Sequence, residues 1–201
     1  MTASKLDKPP LASEYPPDTV LLVEHDPVYT LGRRSSISNI SFDPSHARCP
    51  VHRVERGGEV TFHGPGQLVC YPVVSLEISK KDLRWYLSLI EEVVIRTLMR
   101  WDLVAERSPT DPGVWLDSEG SKKKIAAVGI AASRWVTMHG FALNVDPDLG
   151  WFDDIVPCGI SDGRGVTSMR RELEQVPRHV RSQVASPLMA EVETEVAEQF
   201  S

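Results

Sequence analysis

One long amphipathic run, "KDLRWYLSLIEEVVIRTLMRW" at residues 81–101, interrupts a sequence otherwise written in strands. Leu83, Tyr86, Leu87, Ile90, Val93, Val94 and Leu98 recur at helical spacing, so the run predicts a helix that buries one face. Ahead of it, "TVLLVEH" (19–25) and "VYTLGRR" (28–34) read as strands. "VHRVER" and "EVTFH", on either side of Gly57-Gly58, read as a hairpin or a tight strand return, and "QLVCYPVVSL" as a strand whose Pro72 belongs at an edge or bulge. After it, "DPGVWLDSEG" reads as turn, short strand, turn, and "KIAAVGIAASRWVTMHGFALNV" as two strands joined near Ala132-Ser133. Strands, one long helix, more strands and a helical tail predict an α+β fold rather than a regular βαβ series.

The 201 residues fit one domain with its own core. We expect a proline-rich polar tail over 1–18 and a single domain over 19–201. The net charge of −6 argues against nucleic acid as a partner, because phosphate binding wants a basic face. No segment is apolar enough for a signal peptide or a membrane span. Three cysteines, an odd number, give no disulfide framework, and a cytoplasmic location is expected.

Four stretches offer chemistry. "HARCPVH" spaces His46, Cys49 and His52 as zinc would accept, but no fourth ligand stands out, and a polar loop between strands is the better reading; no metal or other cofactor is expected. "RGGEVTFHGPGQLV" is neither a P-loop nor a dinucleotide fingerprint. Its glycines either let a ligand approach the backbone or simply make a turn, and His63 is a base, a substrate contact or a satisfied buried histidine. "SKKKIAAVG" carries Lys122, Lys123 and Lys124; such runs are usually solvated, but Lys124 lies nearest the buried strand and is the one expected to turn inward. In "VPCGISD" (156–162), Cys158 is a packed thiol or, beside an inward lysine, an activated nucleophile.

Together, "RGGEVTFHGPGQLVCYP", "PGVWL…KIAAVGI", "VTMHGFALNV" and "WFDDIVPCGI…GVTS" resemble, in order and spacing, the octanoyltransferases of lipoate biosynthesis over about Val20 to Ser168. The resemblance implies a fold of the biotin and lipoate protein ligase type. It implies transfer of octanoyl from octanoyl-acyl carrier protein to a lysine of lipoyl domains, those of 2-oxoacid dehydrogenases and the glycine cleavage H protein. It places Cys158 on the acyl-thioester cysteine and Lys124 on the lysine that ionises it. Arg56, Gly57, Gly58, Glu59, Val60, Thr61, Phe62 and His63 fall on a first acyl-binding segment, Ala127, Val128 and Gly129 on a second, and Gly140, Phe141 and Ala142 on a third. Phe62 and Phe141 are expected to shape an apolar slot, and amides of Gly57-Gly58 and the "AVG" segment to face the oxyanion. Family members usually start with a strand and a helix ahead of "LLVEH", a start expected to be missing here. The alternatives are an ATP-dependent lipoate or biotin ligase of the same fold, and a non-catalytic protein that binds lipoyl domains.

Overall fold

The structure is a computed structural model that describes residues 17–156, 164–175 and 189–200. Cys158, and the expected tail up to residue 16, lie outside the described residues. Among the described residues nine strands form two sheets. The large one has the order β1 (Thr19–Val23), β5 (Gln67–Val73), β9 (Val136–Asn144), β8 (Ser121–Ser133), β7 (Val114–Ser118), β6 (Ala105–Arg107), every neighbour antiparallel. The small one places β2 (Val28–Leu31) between β3 (Val51–Arg53) and β4 (Val60–His63). The α+β expectation holds.

The expected return between β3 and β4 does not form. β3 pairs with β2 in parallel and β4 pairs with β2 antiparallel, so the two flank a common partner. The Gly57-Gly58 segment then becomes a crossing loop, free to lie over the large sheet. Pro72 sits in an interior strand, yet β5 pairs with β9 only as far as Cys70↔Phe141. Past that point one side of β5 has no ladder, which is where a residue without an N–H is tolerated. The β8–β9 turn comes two residues later than expected: Arg134 and Trp135, both at positive φ (49° and 63°), close it between Ser133 and Val136.

Helix α1 (Leu83–Met99) starts where Asp82 accepts from the N–H groups of Arg84 and Trp85, a side-chain cap for otherwise unpaired donors. Tyr86, Ile90, Val94 and Leu98 bury its inner face against the large sheet, with Leu68, Cys70, Ala126, Phe141 and Leu143 opposite. Leu83, in the first turn, stays exposed. Helix α2 (Met169–Gln175) and helix α3 (Met189–Glu198) supply Met169, Leu173, Val192 and Val196 to the same core. A second, smaller core of Tyr29, Leu31, Ile40, Val60, Phe62, Phe152 and Ile155 backs the small sheet. None of the described helices is long and apolar enough to cross a membrane.

Helix phase gives a direct test. Ile90 is 1% exposed and its neighbour Leu89 is 41% exposed. Ile90→Ala should cost about 2–5 kcal/mol through lost burial and a residual cavity. Leu89→Ala should stay within roughly 0.5 kcal/mol. Urea unfolding midpoints of the two variants check this, and equal losses would mean that the helix faces are assigned wrongly.

Candidate active site

Strand alternation builds one wall of the site. Along β4, Thr61 and His63 face a cavity of about 610 Å³, while Val60 and Phe62 point the other way into the small core. The expectation that Phe62 shapes an apolar slot is therefore corrected: its ring stacks on Trp151 at 4.9 Å and 7°, and Val60 is equally remote from the cavity. Val69 and Tyr71 of β5, and Ala127 and Ala142 of the paired strands β8 and β9, line the cavity, with Phe141 and Val128 between them. The loop Arg56, Gly57, Gly58, Glu59 closes a second side, joined by Gly129 and Gly140. The volume suits a small ligand.

Close backbone approach explains the glycines of the two strands. A Cβ on Gly129 would sit 3.0 Å from the Gly57 carbonyl oxygen, so the loop docks directly on the strand. A Cβ on Gly140 would sit 2.2 Å from the Cys70 carbonyl oxygen. The docked loop is held by the Gly57 N–H, which donates to the Ile130 carbonyl at 3.0 Å. That amide is committed to the fold, which removes it from the expected oxyanion donors.

Lys124 turns inward as expected: it is 4% exposed, while Lys122 pairs with Glu106 and Lys123 with Glu119 at the surface. Its Nζ donates to the Pro112 carbonyl at 3.0 Å and lies 4.7 Å from the centre of the Trp115 ring. Its backbone is clamped by the segment that follows the undescribed residues 157–163. The Lys124 N–H donates to Gly165 O, and the Thr167 N–H donates to Lys124 O, both at 3.0 Å. Arg164 also lies over Trp115, at 4.6 Å, and pairs with Asp111 at 2.9 Å. On the preceding side, the Val156 N–H donates to Asn39 O at 2.8 Å, and Asn39 donates to the cavity-lining Glu59 at 2.8 Å. The described flanks of Cys158 are thus tied to residues of the cavity wall, the later one directly to Lys124 and Asp111 and the earlier one through Asn39 to Glu59.

His63 is hydrogen-bonded at both nitrogens, and the direction of its bonds is fixed from outside. Asn144 Nδ2 must donate to the carbonyl of Thr167 (2.9 Å), because a carbonyl only accepts. Gln67 Nε2 must likewise donate to the carbonyl of Phe62 (3.2 Å), and it also donates to Asn144 Oδ1 (2.8 Å). Gln67 Oε1 is left to accept from His63 Nδ1 at 2.7 Å, so that nitrogen bears the hydrogen. At the other end Arg56 donates to Thr30 Oγ1 (2.9 Å), whose own hydrogen goes to His63 Nε2 (3.2 Å). Burial pushes the His63 pKa down to about 4, with the charges of Arg56, His25 and His139 acting in the same direction. Neutral, lowered in basicity and bonded at both ring nitrogens, His63 is poorly suited to act as a general base and fits the satisfied buried histidine best.

Sequence reading missed Thr30, Tyr71, Trp115 and His139. Tyr71 lines the cavity and bonds His25 at 2.6 Å; His139 reaches the cavity from a residue with φ of 63°. No periodicity signals either. Among the described residues no group of three or more His, Cys, Asp or Glu is arranged to hold a metal, and His46 pairs locally with Asp43.

Comparison with known proteins gives one family and one fold. The family model for the lipoyl protein ligase A/B catalytic domain matches residues 10–201. A Nostoc octanoyltransferase is 54% identical over 145 residues, which are 72% of this chain and 64% of that protein. A Synechococcus elongatus octanoyltransferase is 53% identical over 170 residues, 84% of this chain and 71% of that protein. The chain therefore spans about two thirds of the length of such relatives. Among solved structures, a lipoate-protein ligase A bound with ATP superposes with a TM-score of 0.67 at 18% identity, over 92% of this chain and 71% of that one. A Thermoplasma acidophilum protein described as a putative lipoate protein ligase, with bound lipoic acid, gives 0.65 at 18%, over 92% and 71%. These structures show the fold alone; the family match over residues 10–201, with relatives at about half identity, establishes that the chain belongs to the lipoyl protein ligase A/B catalytic-domain family.

Proposed function

We propose that the chain transfers octanoyl from octanoyl-acyl carrier protein to a lysine of a lipoyl domain through a Cys158 thioester, the step that begins protein lipoylation. The observation that carries this reading is the buried Lys124 side chain in the wall of a largely apolar cavity, its backbone clamped by Gly165 and Thr167 of the segment that follows Cys158. The other two cysteines are poor nucleophiles. Burial pushes the Cys70 thiol up to about 12 and also raises that of Cys49. The octanoyltransferase relatives at about half identity support the same chemistry.

In the first step the Cys158 thiolate, stabilised by Lys124, attacks the carrier thioester. One carbon–sulfur bond forms, the other breaks, and the leaving carrier thiolate takes its proton from Lys124, which is left as a neutral amine. In the second step the neutral amine of the acceptor lysine attacks the Cys158 thioester. A carbon–nitrogen bond forms, the cysteine leaves as thiolate, and Lys124 accepts the proton that the amine loses. Conversion of a thioester to an amide runs downhill, so no nucleotide is required. Lipoyl domains of 2-oxoacid dehydrogenases and the glycine cleavage H protein both present such a lysine amine as acceptor. The family model spans the A and B types alike and the ligase structures at 18% identity speak to fold, whereas the relatives at about half identity are octanoyltransferases.

Incubation with octanoyl-carrier protein and an apo lipoyl domain, read by intact mass after apyrase treatment, should give octanoylated domain without ATP. Cys158→Ser should lose the octanoyl-enzyme adduct. Lys124→Arg should retain some adduct and fail at transfer, since arginine keeps its charge but yields no proton. Free octanoate used only with ATP would move the assignment to a ligase. Chain length gives a second test. Each CH₂ buried contributes about 0.8 kcal/mol, so hexanoyl donor should fall about 15-fold below octanoyl in kcat/KM. Equal use of both would mean that the cavity does not hold the chain.

A further inference from the structure

Helix α1 carries a carboxylate where its apolar seam should carry a leucine. Glu91 follows Ile90 on the buried face and is 3% exposed. Its Oε1 accepts from the Gly113 N–H at 2.9 Å, and its Oε2 lies 3.6 Å from Arg107 Nε. The other end of the same peptide unit, the Pro112 carbonyl, accepts from Lys124 Nζ at 3.0 Å. A trans peptide points its N–H and C=O in opposite directions. The Pro112–Gly113 unit therefore stands between a carboxylate and an ammonium, its dipole aligned with both. The arrangement has no slack: Gly113 has φ +129°, and a Cβ there would meet Ala126 O at 2.7 Å and Lys124 Cε at 3.1 Å.

We infer that Glu91 is the buried counter-charge of Lys124, acting through the Pro112–Gly113 peptide to hold the lysine protonated and in place. It is a positioning residue, and its importance for transfer rests on the role proposed above for Lys124. The charged groups around the pair are few. Arg107 on β6 faces Glu91 and is shared with Glu92, while the half-buried Asp111 is engaged by Arg164 and also feels the charge of Lys124 across the cavity wall. Among the described residues no carboxylate lies within 4.0 Å of Lys124 Nζ, so Glu91 supplies its counter-charge at one peptide's remove. Burial raises the Glu91 pKa, and the Gly113 N–H, Arg107 and Lys124 act against that rise.

The competing explanation is that Glu91 merely accepts a hydrogen bond from Gly113. Glu91→Gln separates the two, because the amide oxygen keeps that bond and the charge is gone. The Lys124 side chain is titrated by NMR in the full chain with labelled lysine, its signal assigned by absence in Lys124→Arg. Glu91→Gln should lower the Lys124 midpoint on the order of one pH unit, since removing an opposite charge disfavours the protonated amine. The high-pH limb of kcat/KM for transfer should move down by the same amount. Arg107→Met, which leaves Glu91 in place, should not lower the midpoint. An unchanged midpoint in Glu91→Gln, with a loss seen only in Glu91→Leu, would overturn the inference in favour of the hydrogen bond alone. If Glu91→Gln fails to fold, Glu91→Asp decides: it keeps the charge but withdraws it, and an unshifted midpoint there would likewise overturn the inference. The titration needs no substrate. Failure of wild type to transfer octanoyl would therefore remove the proposed function while leaving the Glu91–Lys124 coupling to be judged on the midpoint.

Discussion

The site depends on one directed chain of hydrogen bonds that sews the two sheets together. It runs from Arg56 to Thr30, His63, Gln67 and Asn144, and ends on the carbonyl of Thr167. Arg56 can only donate and a backbone carbonyl can only accept, so the chain has one polarity and cannot reverse. Gln67, Asn144 and Thr167 are all buried, which makes any broken link expensive. Thr167 then reaches Lys124 through its N–H, and its hydroxyl donates to the buried Glu172, which also takes Ser118. The loop on one side of the cavity and the lysine on the other thus belong to one rigid network.

That network explains where the cavity lies. The large sheet buries its other face under α1 and α3, and the small sheet has a core of its own. Polar residues of β2 and β4 are left facing the second side of the large sheet, and the loop carrying Gly57 and Gly58 fills the gap between them. An apolar floor of small residues with a rim of hydrogen-bonded polar groups is the result. The fold alone would allow several chemistries there. The choice lies in which side chains the network leaves unspent, and His63, bonded at both ring nitrogens, is not among them.

Much of this was legible beforehand, and the failures have identifiable causes. The helix over 81–101 was readable because seven apolar positions shared one phase, and Lys124 because it adjoined the buried strand. Phe62 was misread because it stood in a motif beside true cavity residues, although period-two alternation from His63 would have sent it to the opposite face. The β3–β4 return was misread because the pattern shows only that two strands and a glycine pair occur, and says nothing of a third strand placed between them. Glu91 left a signal that was passed over, a charge in phase with Ile90, Val94 and Leu98. The Gln67–Asn144 contact spans 77 residues and has no local signature.

The setting of Lys124 differs from that of its neighbours in a way that bears on reactivity. Lys122 and Lys123 meet carboxylates directly, and such surface pairs contribute little to stability. Lys124 meets an aromatic face and a carbonyl, with the buried carboxylate of Glu91 held one peptide away and Asp111 spent on Arg164. A direct carboxylate contact would take up the ammonium's donors and fix its proton. A carbonyl and a π face compensate part of the desolvation, and the remote charge of Glu91 offsets more of it. Among the described residues the Lys124 Nζ makes one hydrogen bond, to the Pro112 carbonyl, which leaves donors for a group entering the cavity. Placing the carboxylate on α1 rather than on the cavity wall achieves this, because the helix can carry the charge without presenting it to a ligand.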